Sequence, residues 1–135
     1  MIDLNAIYTD LGRTVKGICT KVYPKNRPKS MDKTIDSYIV VFVPSDIFNN
    51  EISDNGAYND YSAIAQIEIY VRDKVTASSP NGFMLSNMSE KVKKVMDIFP
   101  IKTTNISVTK PKVTMQTDDG DGFSVVIIQA NLRTR

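Results

Sequence analysis

The chain has 135 residues, 41% of them hydrophobic, and its 17 basic and 15 acidic side chains leave a formal charge of +2. At this size one domain spanning 1–135 is expected, with a single core that buries roughly two thirds of the unfolded surface. The charges are mixed along the sequence rather than gathered in blocks, which argues against binding nucleic acid through charge alone.

No run reaches the ~18 apolar residues needed to cross a bilayer, and Met1-Ile2-Asp3-Leu4-Asn5 lacks the basic and apolar regions of a signal peptide. The expectation is a soluble cytoplasmic protein that no signal peptide exports. The single cysteine, Cys19, has no internal disulfide partner and sits among apolar and β-prone residues, so it reads as a buried structural thiol.

At 100° per residue Leu4, Ile7, Tyr8, Leu11, Val15 and Ile18 fall within an arc of about 100°, with Asp10, Arg13 and Lys16 outside it. The spacing predicts an amphipathic helix ending near Gly17, followed by a short extended segment from Ile18 to Tyr23. Pro24, Pro28 and Ser30-Met31-Asp32 make 24–36 a loop, and Lys21, Lys25, Arg27, Lys29 and Lys33 make it the densest basic stretch. Tyr38 to Val43 is β-branched and aromatic and predicts a strand closed by Pro44.

Asn49-Asn50, Ser53-Asp54-Asn55-Gly56 and Asn59-Asp60 mark 46–60 as a long hairpin connection. After it, Ala65, Ile67, Ile69 and Val71 alternate with Ile64, Gln66, Glu68, Tyr70 and Arg72, the pattern of a half-buried strand. Ser78-Ser79-Pro80-Asn81-Gly82 breaks that strand. A second helix follows, with Met84, Leu85, Met88, Val92, Val95, Met96 and Phe99 on one side; Asn81 or Ser79 caps it and Pro100 ends it. Ile106, Val108, Val113 and Met115 suggest one further strand and Phe123 to Leu132 another, joined through Asp118-Asp119-Gly120-Asp121-Gly122 as an antiparallel hairpin.

The expected fold is therefore α+β: a mainly antiparallel sheet of four to five strands with two helices packed on one face, in the order α-β-β-β-α-β-β, the first β short.

The catalytic inventory is small. There is no histidine, which removes the commonest general base, the usual zinc ligand and every Ser-His or Cys-His pair. Asp46 and Glu51 sit in polar segments with nothing to raise their pKa, and Glu68 lies on the polar side of a strand. No G-x-G-x-x-G or Walker pattern occurs. The acidic turn at 118–122 invites calcium, but the twelfth position from Asp118 is Gln129, where an EF-hand loop needs a bidentate glutamate. No enzyme, no metal and no cofactor is expected.

Two polar loops, 24–36 and 46–60, are long for so small a domain, and the second brings Tyr58 and Tyr61 beside Phe48; long ordered loops and tyrosines suit binding.

Val22-Tyr23-Pro24 and Arg27-Pro28, followed by Tyr38-Ile39-Val40, carry a resemblance. With the leading helix, the strand Ile64 to Val71, the helix Met84 to Phe99 and the strand Phe123 to Leu132, the chain resembles the tail terminator or tail-completion proteins of long-tailed phages. Head–tail joining and minor capsid relatives of that family share its fold.

The resemblance implies an oligomeric ring, commonly sixfold, that halts tail-tube growth and meets the head connector. Its implied partners are further copies of the chain, a tail-tube protein and a head–tail connector protein, with no membrane. Its implied places are the host cytoplasm during assembly and then the virion tail. The candidate contact residues are Lys25, Arg27, Lys29, Phe48, Tyr58, Tyr61, Asp119 and Asp121. The longer 46–60 segment departs from common relatives. A head–tail connector or minor capsid role on the same fold, or a small nucleic-acid-binding module, stands as the alternative.

Overall fold

The computed structural model describes residues 3–26, 35–44, 46–52, 58–73, 82–118 and 122–134. The elements are α1 (Leu4–Thr14), β1 (Lys21–Pro24), β2 (Ser37–Phe42), β3 (Phe48–Ile52), β4 (Tyr58–Arg72), α2 (Gly82–Asp97), β5 (Ile101–Lys102), β6 (Ile106–Asp118) and β7 (Phe123–Thr134).

Asp3 starts α1 by accepting a hydrogen bond from the Ala6 amide at 3.1 Å, which satisfies one of the free N–H groups of the first turn. The helix stops at Thr14, before the expected Gly17, which takes a left-handed φ of 89° in the turn that follows. Within this helix Ile7 and Leu11 are buried as the spacing predicts, and so is Asp10, which the spacing places on the outside.

Six strands lie side by side in the order β1-β2-β4-β7-β6-β5, and β3 pairs with β4 off that path. β1 runs parallel to β2, and every other pairing is antiparallel. This corrects the expectation of four to five strands with two helices packed on one face: the mixed six-strand sheet curls into a half-barrel.

Two causes are visible in the residues. The stretch 46–60, read as a connection, supplies β3 and the first residues of β4, whose polar side chains carry no apolar alternation. In β6 the register slips between Thr109 and Lys112 and again between Val113 and Met115, and extra residues of this kind bend and twist a strand.

Alternation on β4 sets the inner face. Ala65, Ile67, Ile69 and Val71 point inward with Ile39 and Val41 of β2 and Val126, Ile128, Ala130 and Leu132 of β7. α1 packs against β1 and β2, while α2 packs against β4 and β7. Leu11 and Val15 from the α1 side and Met88 and Val95 from α2 thus join one apolar cluster with the strands. The end of α1 is tied to the far edge of the sheet by Asp10, whose carboxylate accepts from the Thr103 hydroxyl and, at 3.2 Å, from the Asn105 side-chain amide.

On α2 the predicted apolar side is only partly covered, since Leu85 is exposed beside buried Met88. Val113 and Met115 are likewise exposed on β6. No helix among the described residues is long and apolar enough to cross a membrane.

Candidate functional site

The segments singled out in the sequence fall at two opposite ends of the sheet. Lys25 follows β1 with a left-handed φ of 67°, and its amide donates to the Val41 carbonyl at 2.7 Å, so it leaves toward the end of β2. Phe48 lies at the same end, in register with Ser62, and Asn49 is paired with Tyr61. Phe48 is 60% exposed, while Tyr61 is half-buried and its amide donates to the Thr134 hydroxyl at 3.0 Å. Tyr58 belongs to β4 opposite Ile52.

At the other end Asp118 pairs with Ser124 and Phe123 with Arg72. Arg27, Lys29, Asp119 and Asp121 lie outside the described residues. Phe48 and Tyr61 are therefore brought onto one β3–β4 ribbon, and Asp118 and Phe123 are kept away from them.

Both lateral edges of the sheet also offer surface. At one, β1 is bordered by β2 alone among the described residues. Beside it a cleft of about 530 Å³ opens between β1 and α1. Its helix wall is a stripe of Asn5, Tyr8, Thr9, Gly12 and Arg13, continued by Lys16; its strand wall is Lys21, Val22 and Pro24, with Val41 behind. The Tyr8 hydroxyl, accepting from the Val43 amide at 3.1 Å, fixes the helix against β2 at that end. Arg13, Lys16 and Lys21 are exposed, and none of them is ion-paired among the described residues.

At the other edge, β6 pairs with β5 only through Ser107 and Val108. Beyond Thr109 it has β7 alone beside it among the described residues. Leu85, Met88, Val92, Val113 and Val126 line a shallow apolar groove there, between α2 and the sheet.

The outer face of the sheet carries a cluster of its own. Tyr38 stacks on Tyr70 with ring centres 4.4 Å apart and meets the edges of Tyr23 and Phe123 at 5.7 and 5.1 Å. The Arg72 guanidinium lies 4.6 Å from the Phe123 ring centre and donates twice to the Ile35 carbonyl, at 3.1 and 2.9 Å. Next to it, Glu68 accepts from Gln66 at 2.6 Å and from the Tyr70 hydroxyl at 2.7 Å, so this carboxylate is held in a network across the sheet.

Cys19 is buried as expected. Burial pushes its thiol pKa up, and the smaller opposing effects of a Ser37 hydrogen bond and of Lys91 and Lys94 do not offset it, which keeps the sulfur in the weakly nucleophilic thiol form. Among the described residues no three metal-ligating side chains are grouped to hold an ion.

The apolar spacing of α1 gives no sign of the α1–β1 cleft, which lies on another side of the helix. Asn5, Tyr8, Thr9, Gly12, Arg13 and Lys16 recur at helical spacing as a second stripe, and that recurrence is the available signal.

No family model matches the chain, and no curated protein matches it. Several solved structures match the chain; one of them is similar over 98% of this chain and 92% of its own, with a TM-score of 0.55 and 15% sequence identity. A likeness at that identity concerns the fold alone.

Proposed function

We propose that the chain is a structural subunit of a phage or prophage tail, acting in an oligomeric ring that completes the tail tube and joins it to the head connector. The observation that supports this most is the separation of its surfaces. Lys25 and the β3–β4 ribbon with Phe48 leave one end of the sheet, Asp118 paired with Ser124 is at the other, and the β1 and β6 edges lie on the two sides.

A subunit of a closed ring between two different partners needs that division. Two unlike lateral surfaces make a heterologous contact that closes after a fixed rotation, and two axial ends meet the tube and the connector. A head–tail connector on the same fold uses the same division and differs in the neighbours it meets.

Light scattering coupled to gel filtration across a wide concentration range, with negative-stain imaging of large species, tests the proposal. A closed ring of several copies is expected. Phe48→Asp, at an exposed side chain, should leave the unfolding midpoint nearly unchanged while weakening attachment of the ring to a tail tube. A chain that stays monomeric at every concentration, and in the presence of tail tubes, overturns the proposal.

A further inference from the structure

The cleft between α1 and β1 combines three features that rarely coincide by packing alone. One wall is an edge strand with no second strand beside it among the described residues. On the strand side, Val22 and Pro24 with Val41 behind give an apolar stretch next to Lys21. The rim carries Arg13, Lys16 and Lys21, with no carboxylate among the described lining residues.

From these we infer that the cleft is a docking site for an extended acidic segment of a partner protein, which adds to β1 as a further strand. Strand addition supplies main-chain hydrogen bonds along the edge, and side chains of the incoming strand that point toward α1 meet its lining residues. The dimensions agree. The helix stripe from Asn5 to Arg13 covers about 12 Å at ~1.5 Å per residue, which is room for about four extended residues at ~3.3 Å each. β1 itself has 4 residues.

Alternate residues of the incoming strand face the same way. Carboxylates in the set that faces α1 would therefore meet Arg13 and Lys16 beside Val22, while the residues between them lie on the opposite face of the sheet, next to Tyr23.

The charge decides between an acidic and a basic occupant, because Arg13, Lys16 and Lys21 have no ion-pair partners among the described residues to neutralise them. The size and the apolar stretch favour a polypeptide over a nucleic acid, whose backbone needs a continued basic track. Here the cations cluster at one end and give way to Asn5, Tyr8 and Thr9. This goes beyond the tail-end proposal and does not depend on it.

The test is backbone amide chemical-shift mapping of the full chain, titrated with a short synthetic peptide alternating glutamate with valine. Controls are the same peptide with lysine for glutamate and a short oligothymidylate. Shifts confined to Lys21, Val22, Tyr23 and the Thr9 to Lys16 side of α1 are expected, with an affinity that falls as salt is raised.

Lys16→Glu with Lys21→Glu should weaken binding by about tenfold or more, and the milder Lys16→Gln with Lys21→Gln should fall between. Both pairs are at exposed positions, and an unchanged urea midpoint checks that the fold persists. Shifts elsewhere, no shifts at all, equal binding of the lysine peptide or of oligothymidylate, or binding that survives the double reversal would each overturn the inference. None of these outcomes bears on ring formation, which is read from the mass.

Discussion

Ile67 and Glu68 are successive residues of β4 whose side chains leave by opposite faces, and they are held in place by different physics. Ile67 is 1% exposed, in register with Val41 on one side and Ile128 on the other, and it belongs to the cluster that both helices cover. Its contribution scales with apolar area removed from water and with the density of the packing around it.

Glu68 sits between Val40 and Ile127 in register, and its two oxygens accept directed hydrogen bonds from Gln66 and Tyr70. Gln66 in turn accepts from Gln129 at 2.7 Å, so the row crosses from β4 to β7. The inner face is thus fixed by shape and area, whereas the Glu68 row of the outer face is fixed by orientation, beside the smaller buried cluster of Tyr38, Val40 and Phe123.

The sharpest way to break that comparison is to remove area from the inner face. Ile67→Ala should cost about 2–5 kcal/mol, the range for emptying a packed core site, read as a lower urea midpoint at an unchanged denaturant slope. A loss within the range of a surface substitution would mean that the curl collapses readily onto a vacancy.

Arg72→Ala comes next, at about 1–3 kcal/mol, because it removes a charged donor from the Ile35 carbonyl and a cation from the Phe123 ring. Arg72→Lys should recover only part of this, since an ammonium cannot reproduce the paired donation to one carbonyl. Recovery of the whole loss would show that charge, not the planar fork, holds the outer cluster.

Glu68→Ala should cost least, about 0.5–1.5 kcal/mol in a thermal melt, as the freed Gln66 and Tyr70 donors are only part-buried and can turn to water. A loss as large as that of Ile67→Ala would erase the distinction between the two faces.

Much of the inner face was legible in the sequence because one rule generates it. The alternation of Ala65, Ile67, Ile69 and Val71 is the pleat itself, and the helical spacing of Ile7, Leu11 and Val15 is that of a helix side turned to a core. What escaped has no such local signature.

β3, with Asn49, Asn50 and Glu51, is a strand because β4 continues beside it, and its propensity alone favours a turn. β5 is 2 residues long and exists only as a partner to Ser107 and Val108. The curl depends on register slips around Lys110, which takes a left-handed φ of 57° ahead of Pro111, and a slip is a relation between two strands.

The candidate surfaces divide in the same way. Exposed Phe48 and Lys25 were found as residues of polar segments. The clustering of Arg13 and Lys16 with Lys21 appears only once β1 is laid beside α1.

The clamp on Asp10 has a consequence for how the chain is made. α1 leaves the ribosome ahead of the side chains that receive its buried carboxylate, because Thr103 and Asn105 come 93 and 95 residues later. Until they arrive, the apolar side of α1 lacks its full cover and Asp10 has not found its donors. A nascent chain truncated just before β5 should therefore keep α1 accessible to protease, and emergence of β5 to β7 should close that window in one step.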